Sequence, residues 1–208
     1  MKVILALLSA LLFIQAGASP NFSFYVLSSQ WAGSVCQQKS CPKAISAGAS
    51  NTFWNLHGLW PSDGHMGLNF CSKQKFNPAT NAGLKSELTK YWNGLFSNAN
   101  SFHAHEWEKH GTCSGLSQYD YFAKSIQSAK RVDIYGALQR SGIVPGRSYN
   151  CRQISDALKR AYGVTNFTVR AIKGQLTAVN LCLTKGFAVQ NCPSANVCSG
   201  SVNYPVFN

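Results

Sequence analysis

Two stretches of the sequence concentrate side chains that can move protons near neutral pH. One is Trp54 to Pro61 (WNLHGLWP), with His57 beside Gly58. The other is Phe102 to Cys113 (FHAHEWEKHGTC), which holds His103, His105 and His110. Imidazole suits such work because its ordinary pKa is about 6.5. Read as a helix turning about 100° per residue, the second stretch gathers His105, Glu106, Lys109 and His110 on one face and turns Trp107 into the core. Glu106 and Glu108 then diverge, so no paired-carboxylate site of the glycosidase kind forms. Zinc on His103, His105 and His110 is a competing use. His103 and His110 could meet, but His105 lies apart and Lys109 would repel a cation. A solvated, salt-bridged helix face is the bland alternative. Two imidazoles, an ammonium and a carboxylate suit general acid–base chemistry on a charged substrate. His57 alternates with Asn55 on a strand whose other face carries Trp54 and Leu56, and Gly58 lets a ligand or backbone approach closely. Alone, such a histidine is more often an ordinary half-buried, hydrogen-bonded one.

The elements that must position these groups read as strands, then helices, then strands. Phe22 to Trp31 and Thr52 to Leu59 have strand character, with loops expected over Ala32 to Ser50 and Pro61 to Gly83. Helical spacing runs from Leu84 to Phe96, Phe102 to Cys113, Tyr119 to Ala129, Asp133 to Arg140 and Cys151 to Tyr162. Asn166 to Ile172 and Gln175 to Thr184 flank Lys173-Gly174 as a hairpin, and Val202 to Phe207 adds an edge strand. This order predicts an α+β single domain, an antiparallel sheet packed against several helices.

Composition sets the chemistry's surroundings. The 208 residues carry 19 Lys and Arg against 7 Asp and Glu, a net charge of +12. The basic residues are scattered, so the whole body is positive and a polyanion is the natural partner. Residues 1–18 have the layout of a secretory leader: Met1-Lys2, an apolar run to Ile14, then Ala16-Gly17-Ala18. That leaves 19–208 as the folded domain, with no later segment long and apolar enough to span a bilayer. The 8 cysteines all follow the leader, which implies four disulfides in an oxidising compartment, with connectivity left open by spacing alone. Asn21 and Asn166 head glycosylation sequons.

HGLWP at His57–Pro61 followed by HEWEKHGTC at His105–Cys113 resembles the two active-site segments of the ribonuclease T2 family, secreted base-non-specific ribonucleases that include plant S-like and self-incompatibility enzymes. The resemblance covers nearly all of the chain after the leader. It implies a secreted endoribonuclease, with a vacuolar or lysosomal destination as the alternative. Single-stranded RNA is the implied substrate, cleaved through 2′,3′-cyclic phosphates to 3′-phosphates by a monomer with no metal or cofactor. By resemblance His110 is the general base, His57 the general acid and His105 a phosphate ligand, while Glu106 and Lys109 stabilise the transition state. Trp60 and Phe102 match the aromatic residues that sandwich the base. The implied disulfides are Cys36–Cys41, Cys71–Cys113, Cys151–Cys198 and Cys182–Cys192. Two places depart from the family pattern: Ser62, then Asp63, stands where many relatives have Asp directly after HGLWP, and His103 stands where Trp is common. A different class of function is a ribonuclease fold used for recognition or storage, with catalysis incidental. The intact set of catalytic side chains argues against it.

Overall fold

The computed structural model describes residues 21–42, 48–64 and 67–208, so the leader expected over 1–18 lies outside the described residues. Strand β1 (Phe24–Gln30) is central. It pairs antiparallel with β2 (Asn55–Ser62) on one side and with β5 (Gln175–Leu183) on the other. Strands β4 (Thr168–Ile172) and β7 (Asn196–Val197) extend the sheet beyond β5, while β6 (Val189–Gln190) adds a short antiparallel pairing to β5. The hairpin between β4 and β5 forms as expected: Lys173 (φ 49°) and Gly174 (φ 72°) both take the left-handed conformation that two-residue hairpin turns require.

Six helices are described: α1 (Ala32–Gln38), α2 (Lys85–Tyr91), α3 (Ala99–Lys109), α4 (Gln118–Val132), α5 (Ile134–Gln139) and α6 (Cys151–Tyr162). Helix α4 packs on β1 and β2, and α6 packs on β4. Trp31, Trp92, Trp107, Tyr121, Phe122 and Tyr204 are fully buried between these layers. The result is the expected α+β single domain, and all four disulfides join the expected partners.

Four local expectations need correction. Ala32 to Ser50 is not all loop, because α1 occupies its start. Its small residues serve packing: a Cβ on Gly33 would sit 2.6 Å from the Pro205 carbonyl oxygen. The loop expected over Pro61 to Gly83 is shorter at both ends, since β2 runs to Ser62 and a 3-10 turn spans Pro78–Leu84. The terminal strand β8 (Ser201–Tyr204) is not at an edge. It lies between β5 and an unexpected strand β3 (Arg147–Asn150), and stops before Pro205. Helix α3 begins at Ala99, where the Asn98 side chain caps it, and ends at Lys109; Gly111–Cys113 is a separate 3-10 turn.

Candidate active site

The site grows from a defect in β2. Ser28 pairs with Gly58 and Ser29 with Leu56, so His57 is the extra residue of a β-bulge. Strict alternation would put positions 57 and 60 on opposite faces of the sheet. The bulge breaks the alternation and re-aims one side chain. His57 and Trp60 consequently face the same cleft, with ring centroids 5.2 Å apart. Asn55, expected to share the face of His57, is instead fully buried, and its amide donates to the Asn93 side chain at 2.9 Å. Two contacts hold the strand in place: the Tyr121 hydroxyl donates to Leu59 O (3.0 Å), and the Trp92 indole donates to His57 O (2.8 Å).

Helix α3 meets this strand through Glu106. The carboxylate is 1% exposed. It accepts the Trp60 Nε1–H at 2.9 Å through Oε2, and its Oε1 lies 3.7 Å from His57 Nε2. Gly58 makes the approach possible, because a Cβ there would lie 2.2 Å from Glu106 Oε2. The expected single polar face of the helix is therefore split. Glu106 and His110 sit at the edge of the buried sector beside Trp107, while His105 is exposed and Lys109 half-buried. Burial of a carboxylate this close to a histidine is costly, and the energy returns only through the groups that meet it.

His110 caps the C-terminus of α3, off the helical path that a longer helix would have given it. Its Nδ1 lies 3.1 Å from Leu68 O. A carbonyl only accepts, so Nδ1 carries the proton and Nε2 is left as the basic nitrogen. Trp60 packs against this ring at 5.3 Å between centroids, so the one indole touches both His57 and His110. The loop that supplies Leu68 is fixed from two sides: Phe70 N–H donates to Lys109 O (2.7 Å), and Cys71 is bonded to Cys113. Phe102 closes the far wall, 5.8 Å from the His57 ring.

Burial, then the positive charge of His105 and Lys109, lowers the His57 pKa to about 4, although 40% of that side chain stays exposed. His110 is also lowered to about 4, again chiefly by burial, with the Leu68 carbonyl opposing and Lys109, His105 and His57 assisting. Glu106 moves the other way, to about 7, because burial outweighs the Trp60 hydrogen bond and the nearby Lys109. Both imidazoles are thus neutral at rest near pH 7, and their proton affinities sit within reach of a bound anion.

The structure brings His57, Trp60, Phe102, Glu106 and His110 together, with His105 and Lys109 close enough to act through their charge. His103 does not join them. It is 3% exposed, with Nε2 on Trp92 O, so the metal arrangement with His105 and His110 does not form. Among the described residues no group of three His, Cys, Asp or Glu could hold a metal ion. Three contributors were not anticipated: Trp92, the Leu68 carbonyl and the bulge itself. Only Gly58, directly after His57, carried a sequence signal for the last.

Comparison with known proteins identifies the fold that carries this arrangement. The Ribonuclease T2 family matches residues 22–192. Ribonuclease 1 of Arabidopsis thaliana is 33% identical over the whole of both chains. Ribonuclease T2 of Sus scrofa is 34% identical, covering 84% of this chain and 92% of its own. The crystal structure of RNase NT in complex with 5′-AMP superposes with a TM-score of 0.80 at 26% identity, over 90% of this chain and 100% of that one. A bulged histidine strand facing a glutamate–histidine helix end, within a sheet and helix order that this structure shares, leads to one conclusion: the chain belongs to the ribonuclease T2 family.

Proposed function

We propose that this T2-type endoribonuclease cleaves single-stranded RNA by histidine general acid–base catalysis, through a 2′,3′-cyclic phosphate to a 3′-phosphate. The observation that carries the reading is the pair of imidazoles that both pack against Trp60, one of them with Nδ1 tied to Leu68 O so that Nε2 is free to take a proton. In the first step His110 Nε2 accepts the proton of the ribose 2′-hydroxyl, whose oxygen attacks the adjacent phosphorus. The bond to the 5′-oxygen breaks as protonated His57 donates to it. In the second step the roles reverse, and water opens the cyclic ester. His105 and Lys109 bring positive charge to the phosphorane, and a bound phosphate raises the proton affinity of both imidazoles.

Glu106 accepts the Trp60 indole N–H and faces His57, so it orients the acid and, once ionised, stabilises its charged form. Trp60 and Phe102 supply aromatic surface to the base, and stacking of this kind tolerates every base. The reading includes secretion as a monomer after removal of residues 1–18, supported by the leader pattern and four disulfides. No described helix is long and apolar enough to cross a membrane. Glycans at Asn21, which is exposed, and at half-buried Asn166 belong to the same reading.

The test is cleavage of a short RNA in EDTA, with the products followed by phosphorus NMR. The expected course is a transient cyclic phosphate resonance that gives way to 3′-phosphate, with EDTA having no effect. Products bearing 5′-phosphates, or activity abolished by EDTA, would overturn it.

A further inference from the structure

A second cavity, of about 410 Å³, lies along α3 away from the reacting groups. Phe76, Leu88 and Ala99 form apolar walls, and Asn81, His103 and Lys85 supply polar groups. None of His57, Trp60, Glu106, Lys109 or His110 lines it. Its size falls within the roughly 300–1,000 Å³ typical of small-molecule sites.

The polar groups are unusual for a place that is merely loosely packed. Asn81 is 3% exposed, and neither its amide oxygen nor its amide nitrogen has a hydrogen-bond partner. An unpaired buried polar group costs about 1–3 kcal/mol, and folded proteins leave few of them. His103 is equally buried, and its Nε2 lies 2.6 Å from the Trp92 carbonyl, which can only accept. Burial lowers the His103 pKa, so the ring is neutral and Nδ1 is an acceptor. The His103 ring lies 6.3 Å from that of Phe76, and both line the cavity with Leu88. The cavity thus combines a donor and an acceptor on one amide, a further acceptor on a neighbouring ring, an aromatic wall and an exposed ammonium at its rim.

That set matches the hydrogen-bonding edge and π-face of a nucleobase, with Lys85 placed to meet a phosphate. We propose that this cavity is a second binding site, for a nucleoside or nucleoside monophosphate, whose base edge is read by Asn81 and His103. The source of such a ligand rests on the ribonuclease reading above, since exhaustive cleavage of RNA releases nucleoside monophosphates. Trp92 joins the two sites: its carbonyl holds His103 and its indole holds the His57 carbonyl.

The test is titration of the intact protein with adenosine, following the ring nitrogens of His57, His103 and His110 by NMR, beside Asn81→Leu and Ala99→Leu. The expected result is a saturable shift at His103 that both variants abolish, while their kcat/KM on a dinucleotide stays at the parent value. Movement confined to His57 and His110, or a His103 shift that persists in a folded variant, would overturn the proposal. The two variants act independently, so loss of folding in one leaves the other to decide. Failure of every form to cleave the dinucleotide would count against the ribonuclease reading and leave the binding result standing.

Discussion

Gly58→Ala isolates the contact on which the site's geometry depends. A Cβ at this position would lie 2.2 Å from Glu106 Oε2 and 2.3 Å from Trp60 Nε1, the two atoms joined by the 2.9 Å hydrogen bond. Gly58 is not among the residues with positive φ, so alanine strains no backbone and the effect is steric. Neither neighbour can withdraw cheaply. Glu106 is 1% exposed, and the Trp60 indole is packed against both His57 and His110. Alanine must break the bond and push the indole against an imidazole. Overpacking of this kind costs about 1–3 kcal/mol, and the lost hydrogen bond to a carboxylate about 1.5–3 kcal/mol. Partial relaxation of β2 reduces their sum, so a destabilisation of about 2–4 kcal/mol in urea is expected. A displacement near 1 Å at the reacting groups costs roughly 10²-fold in rate, so kcat/KM on a dinucleotide should fall by about that factor at a pH where the variant is folded. Trp60→Phe removes the indole N–H without adding the clash and should lose less. If Gly58→Ala keeps parental activity and stability, Glu106 and Trp60 do not hold the site as argued.

Further outcomes follow from the same geometry. The acid His57 is lost as pH rises through its pKa and the base His110 is gained as pH rises through its own; both lie at about 4. The free enzyme's kcat/KM should therefore be bell-shaped with an acidic maximum, and a maximum at the ordinary imidazole value of about 6.5 would show that burial does not dominate. Glu106 titrates at about 7, so Glu106→Gln changes charge only above that region. The ratio of parent to variant activity should then grow between mildly acidic and alkaline pH, and a ratio independent of pH would contradict an ionised role. Replacing Cys71 and Cys113 by Ala opens a loop of sequence separation 42 and should cost roughly 4 kcal/mol in chemical denaturation. The variant should also lose activity, since that bond secures the loop carrying Leu68. Single-stranded DNA should bind, with affinity falling as salt rises, and should not be cut, because it lacks the attacking hydroxyl.

Much of the candidate site was legible because it sits in short, contiguous segments. Glu106 and His110 lie within one helix stretch, and Trp107 was correctly assigned to the core. The hairpin around Lys173-Gly174 and helix α6 could be read because local backbone preference and hydrophobic period agree there. What escaped depended on distant packing. The bulge at His57 is set by the register of β1, and no period in β2 alone reveals it. Helix α1 was hidden because its buried small residues Ala32, Gly33 and Ser34 read locally as loop composition, while Gly33 is small for the sake of the C-terminal segment at Pro205. The short strand β3 is exposed along much of its length and gains its identity from pairing with β8. Leu68 contributes through its carbonyl, and side-chain chemistry says nothing about that.

The central claim is that His110 removes a proton while His57 supplies one, and a change of leaving group separates these roles most directly. The comparison sets His57→Ala beside His110→Ala on two substrates, a dinucleotide and a nucleoside 3′-phosphodiester with a good aryl leaving group. The aryl group departs with little protonation, so His57→Ala should retain most of its activity on that ester and lose about 10²–10⁴-fold on the dinucleotide. His110→Ala should be impaired on both, because each still requires its 2′-hydroxyl to be activated. The opposite selectivity would reverse the two assignments, and parental rates in both variants would place the proton transfers on other groups.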